Sequence, residues 1–173
     1  MEYMEIALLS SVSLRIKSKS ATLCVDQSDK ATYDADLIVT KTLADVTPND
    51  ETVIISGTGE YEIGGNKITG LRSEQDMIYT LKVDGIDIAL GKINALNKMQ
   101  HKLKENNIII VLCDVVESAA FLNSLASNVV MLYGEKAAEI AETFGKEQVK
   151  TLAKYSSTKE KLPTEVETVL LTN

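Results

Sequence analysis

The stretch "ISGTGEYEIGGNKITG", residues 55–70, holds five of the chain's nine glycines. Two phosphate-binding readings of it fail on spacing. A G-x-G-x-x-G fingerprint starting at Gly57 and Gly59 needs a glycine where Glu62 stands. A P-loop needs Gly-Lys-Ser/Thr opening a helix, whereas this run ends in Lys67-Ile68-Thr69 with no helical pattern behind it. After Gly65 come Asn66 and then alternating apolar and polar residues. Gly64-Gly65-Asn66 therefore reads as a tight turn between strands at 60–63 and 67–71. Glycine supplies the positive φ such a turn requires without a Cβ clash. On this reading the glycines are structural punctuation.

The pattern extends outward from that hairpin. "MIYTLKVDGIDIALG" places Asp84-Gly85 between two further alternating runs, a strong signal for a second hairpin. Upstream, "MEIALL", "SVSLRIKS", "SATLCVD", "ADLIVT" and "TVIISG" are short β-rich runs. Beyond Asn94 the pattern changes. "NALNKMQHKLKENN" has helical spacing with Leu96, Met99 and Leu103 on one face. "NIIIVLCD" predicts a strand buried on both faces. "ESAAFLNSLAS" predicts a helix, "NVVMLYG" a strand, and "EKAAEIAETFGKE" a helix ending near Gly145. "LPTEVETVLL" closes the chain with a strand. No linker, repeat or low-complexity tract interrupts this order, so residues 1–173 are expected to form a single domain. A mostly antiparallel β half followed by α/β units points to sheets packed together with helices outside.

Composition narrows the function classes. The chain has 173 residues, 45% hydrophobic and 25% charged, with a net charge of −7. That composition belongs to a folded domain. The acidic balance disfavours nucleic acid as a partner, because phosphate backbones require a basic face. The longest apolar runs are strand-sized, which argues against a membrane span. The N-terminus lacks a basic region followed by an apolar stretch, so no signal peptide is expected. Cys24 and Cys113 fall in separate apolar runs and read as buried free thiols of a cytoplasmic protein.

Specific words in the sequence resemble the metallo-β-lactamase superfamily. The nearest likeness is to its small "Zn-dependent hydrolase of the β-lactamase fold" branch, relatives of L-ascorbate-6-phosphate lactonase. That branch carries "PGEYEIGG" followed by "V-x-I-x-G". Gly59-Glu60-Tyr61-Glu62-Ile63-Gly64-Gly65 and Ile68-Thr69-Gly70 match it, with Thr58 in place of the proline. The branch's "N-T-I-Y-x-I-E-I-D-G-I" is met by Met77 through Ile86. Its "M-H-Y-G" and "K-E-x-L-P" are met by Met131-Leu132-Tyr133-Gly134 and Lys159-Glu160-Lys161-Leu162-Pro163. The resemblance implies an α/β (α+β) fold, a four-layer αββα sandwich.

It also implies two metal ions that activate a bridging water. The ligand positions in this chain are altered. The S-H-x-H-x-D-H loop falls on Thr40 to Val46, so Lys41, Leu43 and Val46 stand where histidines would be, and Asp45 alone is retained. The "H-L-G-D" carboxylate position is Lys92, the "M-H-Y" histidine position is Leu132, and an early histidine position is Ser11. The chain's one histidine, His101, lies in "KMQHKLK" and reads as a solvent-facing helical residue.

Other chemistries are weakly signalled. Cys113-Asp114 ends a strand, where α/β proteins often place functional groups, but a cysteine in an apolar strand usually packs. Glu60 and Glu62 share a strand face and read as solvent-facing acids as readily as paired carboxylates. An ion pair between Lys92 and Asp45 is expected to plug the old cleft, with Leu43, Val46 and Leu132 keeping it filled and dry. The resulting expectation is a metal-free, cofactor-free, non-catalytic binding or scaffold module. Its partner is an unknown protein or, through exposed edge strands, a second copy of itself as a homo-oligomer. Two alternatives stand beside it: a hydrolase with an unconventional site, and a regulatory subunit of an active paralogue.

Overall fold

The computed structural model describes residues 3–26, 36–40, 52–145 and 147–173. In chain order the first strands are β1 (Met4–Leu8), β2 (Leu14–Lys17), β3 (Thr22–Asp26), β4 (Leu37–Thr40) and β5 (Val53–Ile55). Next come β6 (Gly59–Ile63), β7 (Asn66–Ser73), β8 (Asp76–Val83), β9 (Ile86–Lys92), β10 (Ile108–Leu112) and β11 (Val129–Tyr133). The last are β12 (Val149–Leu152), β13 (Lys154–Ser157) and β14 (Glu167–Leu171). Helix α1 (Ile93–Lys98) follows β9, and α2 (Ala137–Glu142) follows β11.

These strands form a six-stranded sheet, β13-β1-β2-β3-β4-β5, and an eight-stranded sheet, β12-β14-β11-β10-β9-β8-β7-β6. The chain passes between the sheets at both margins, from β5 to β6 through residues 56–58 and from β12 to β13 through Ala153. The hairpins read from sequence are present. Ile63 pairs with Asn66 and Val83 with Ile86, leaving Gly64-Gly65 and Asp84-Gly85 as two-residue loops. All four loop residues have positive φ, the geometry whose twist matches that of the flanking strands.

Two apolar layers lie on either side of the larger sheet. Ile68, Leu81, Ile88 and Ile110 face Met4, Ile6, Leu14 and Leu23 of the smaller sheet. Ile78, Ala89, Ile109 and Leu132 face the other way, against Leu96 of α1 and Ile140 of α2. β10 and β11 are buried at every residue, as expected from their unbroken apolar runs.

The structure departs from the sequence reading in four places. "ESAAFLNSLAS" forms only a 3-10 turn, Ala120–Ser124. Ser124 Oγ donates to the Phe121 carbonyl and Ser118 Oγ accepts from the Ala120 amide, local bonds that compete with a regular helix. The helix expected from Asn94 stops at Lys98 and continues as a 3-10 turn, Gln100–Lys102. There the Gln100 amide donates to both the carbonyl and the side-chain oxygen of Asn97. Leu96 and Leu103 are nevertheless buried, with Met99 packed beside them. β4 and β5 were read with the antiparallel half but pair in parallel, β3 to β4 to β5. β12 and β13 carried no recognised signal, because each is only four residues long and lacks a sustained apolar face, β13 burying just Tyr155 and Ser157. Among the described residues no helix is long and apolar enough to cross a membrane.

Candidate functional site

The parallel strands β9 and β10 end on the same rim of the larger sheet, with Lys92 opposite Leu112. Alternation with Ile88 and Leu90, which face the smaller sheet, puts Lys92 at the edge of the inter-sheet core. β8 runs antiparallel to β9, so its first residue, Asp76, starts beside the end of β9. Asp114 follows β10 by two residues. These three side chains meet. Lys92 Nζ lies 3.3 Å from Asp76 Oδ1 and 3.5 Å from Asp114 Oδ2. The second oxygen of Asp114, Oδ1, is buried with no hydrogen-bond partner among the described residues.

A second ion pair extends the rim. Lys98 Nζ lies 2.8 Å from Glu74 Oε2 in the turn that precedes β8. The hydrogen bond that Lys98 donates to the Glu74 carboxylate holds its ammonium above its ordinary pKa, assisted by the charges of Glu74, Glu117 and Asp76. Lysine donates hydrogen bonds and accepts none while charged. The rim is thus a charged network that ties together the ends of β8, β9 and β10.

The structure separates residues that the sequence reading grouped. Leu132 is buried on the helix-facing side of the sheet, opposite to Lys92, so it does not fill the space beside that ammonium. Lys41, Leu43, Asp45 and Val46 lie outside the described residues. His101 is exposed, on the 3-10 turn after α1. Cys113 and Cys24 are buried and not joined in a disulfide, and Cys113 Sγ is 3.7 Å from the Val111 carbonyl oxygen. Glu60 and Glu62 are exposed side by side on β6. Asp76 was missed, although counting outward from the Asp84-Gly85 turn brings the start of β8 to the end of β9.

The glycine-rich stretch is a clasp between the sheets. Tyr61 Oη donates to the Gly57 and Thr58 carbonyls at 3.2 and 3.1 Å. The Gly57 carbonyl oxygen lies directly over Gly70, where a Cβ would collide with it. Tyr79 Oη donates to the Ile55 carbonyl at 3.4 Å, and burial raises its pKa above the ordinary phenol value.

No protein-family model matches the chain, and no curated protein matches it by sequence. Solved structures do match. One is a protein of Thermotoga maritima suggested to be a Zn-dependent hydrolase of the metallo-β-lactamase superfamily. The TM-score is 0.72 at 15% identity, over 97% of this chain and 98% of that one. A suggested metal-dependent hydrolase of Parabacteroides distasonis matches with a TM-score of 0.59 at 12% identity, over 98% and 94% of the two chains. A metallo hydrolase of Ignicoccus hospitalis matches with a TM-score of 0.55 at 8% identity, over 82% and 92%. These likenesses show the fold, a metallo-β-lactamase-like α/β sandwich.

That fold implies metal, and the rim tests the implication. Among the described residues no three His, Cys, Asp or Glu side chains are grouped so as to hold an ion. The carboxylates that do converge on the rim share the Lys92 ammonium. A cation already resident between two carboxylates opposes a second, so these residues do not fit a metal ion.

Proposed function

We propose that this chain is a metal-free, non-catalytic protein of the metallo-β-lactamase-like fold that serves as a binding or scaffold module. The observation that carries this reading is the Lys92 ammonium held between Asp76 and Asp114 at the shared ends of β9 and β10. A fixed ammonium supplies charge and hydrogen bonds but activates no water as a bound dication does. The two buried thiols, Cys24 and Cys113, support a cytoplasmic location, where thiols stay reduced.

Elemental analysis tests the reading. Untagged protein purified without chelator, and again after zinc and manganese loading, is expected to hold far less than one ion per chain. Phosphodiester, lactone and β-lactam substrates are expected to remain intact in its presence. One or two tightly held ions per chain, or turnover abolished by Asp114→Asn, would replace this reading with a hydrolase of unconventional site.

A second reading is a regulatory subunit of an active relative. Val115 and Val116 favour it, being 45% and 58% exposed immediately beyond Asp114. Exposed apolar residues beside a charged rim suit a protein interface. Val116→Glu is then expected to abolish co-purification with a histidine-rich relative, and persistence of the complex would sink the idea.

A further inference from the structure

The outer face of β7 and β8 carries a feature unrelated to the Lys92 rim. Lys67 and Lys82 are direct partners across this antiparallel pair. Both are exposed on the face opposite Ile68 and Leu81, which point into the inter-sheet core. Like charges placed directly opposite each other oppose strand pairing. The chain after α1 adds Lys102 and Lys104, and the four lysines line one concavity of about 400 Å³. The whole chain is acidic, at −7, so four ammonium groups in one hollow run against its average charge.

The acids nearby neutralise them only in part, since Asp87 pairs with Lys82 alone. Asp87 lies 3.8 Å from Lys82, and Glu105 also lines the hollow. Glu62 stands opposite Lys67 across β6, yet no ion pair joins them. Among the described residues Lys67, Lys102 and Lys104 have no carboxylate partner.

We propose that this concavity binds the phosphate chain of a small polyphosphate-bearing solute. Four flexible ammonium groups meet a chain of anionic oxygens as point charges, without the planar fork that arginine would impose. Thr69 and Thr80 are direct partners two residues along from the Lys67–Lys82 pair and also line the concavity, where their hydroxyls add neutral donors. Aromatic side chains are missing from the described lining, so the site reads phosphate and offers a nucleobase no stacking surface. Asp87 lies five residues before Lys92 on β9, roughly 16 Å along the strand, so this hollow and the charged rim are separate.

The test is titration calorimetry of the full chain with inorganic tripolyphosphate at about 0.1 M salt. One saturable site per chain is expected. The double variant Lys67→Gln/Lys102→Gln is expected to weaken binding about a hundredfold, since each lost charged contact is worth on the order of a tenfold change. Both lysines are exposed, so unchanged thermal unfolding will show that the variant still folds. Lys154→Gln, on β13 of the other sheet, is expected to bind like the unaltered protein. Adenosine triphosphate is expected to bind with affinity similar to tripolyphosphate. Lack of saturation, or an equal loss in Lys154→Gln, would overturn the proposal. So would a nucleotide that binds far more tightly than the bare phosphate chain.

Discussion

Lys92→Met removes the central cation of the rim while keeping most of its apolar stem. At separations of 3.3 and 3.5 Å, each ion pair is worth about 1.2 kcal/mol in bulk water and about 5 kcal/mol at an effective dielectric of ~20. The three side chains are 21%, 22% and 34% exposed, which draws the net value toward the lower figure, about 1 kcal/mol per pair. Removing both pairs also leaves Asp76 and Asp114 to repel each other. The expected loss is therefore about 2 kcal/mol, or a fall in Tm of roughly 4–8 °C for a domain of this size. Denaturant and thermal unfolding at low salt will read it. About 1 M salt shortens the screening length to about 3 Å and should shrink the difference between the two proteins. Adding Asp114→Asn to Lys92→Met should cost less than the sum of the two single changes. A loss of the same size at all salt concentrations would assign the effect to packing. No loss at low salt would refute the account of the rim as an ion-pair network.

Gly70→Ala is expected to destabilise by about 1–3 kcal/mol, because the new Cβ meets the Gly57 carbonyl and the side chains of Tyr79 and Met77. Equilibrium unfolding checks this, and a neutral result would mean the crossing from β5 to β6 relaxes freely. Tyr79 makes stability fall at alkaline pH. Burial keeps its phenol neutral, so the folded protein holds that proton to higher pH than the unfolded chain does. The contribution is complete below about pH 10 and is lost as pH rises through the raised folded value. Tyr79→Phe should therefore flatten the alkaline limb of the unfolding curve, and an unchanged limb would assign that limb to other groups. Asn107 accepts from the Asp87 amide and from Lys159 Nζ, and donates to Asn128, which in turn donates to the Pro163 carbonyl. Asn107→Ala should cost about 1–3 kcal/mol in denaturant unfolding by leaving these groups without partners.

Much of the fold was legible in the sequence, because the deciding interactions there are local. Gly64-Gly65 and Asp84-Gly85 dictate tight turns through their φ angles, and the turns set the register of the flanking strands. The runs at β10 and β11 announce strands buried on both faces, since uninterrupted apolar chain must lie between two layers. Even Asp76 beside Lys92 follows from counting away from the turn at Asp84-Gly85.

Other features were decided only by tertiary contacts. The short segment Ala120–Ser124 fits a helix by spacing and its serines compete locally, but Leu122 is buried in the layer outside the larger sheet only because the fold brings that layer together. Parallel pairing of β3, β4 and β5 depends on crossovers that no local pattern specifies. Asp114 reaches Lys92 through the parallel register of β9 and β10, two strands separated by α1. The lysine-lined hollow likewise joins the β7–β8 pair to the chain after α1. Sequence alone determines structure where the interacting groups are neighbours along the chain. Charge clusters built from distant strands exist only once packing has fixed which rims and faces coincide.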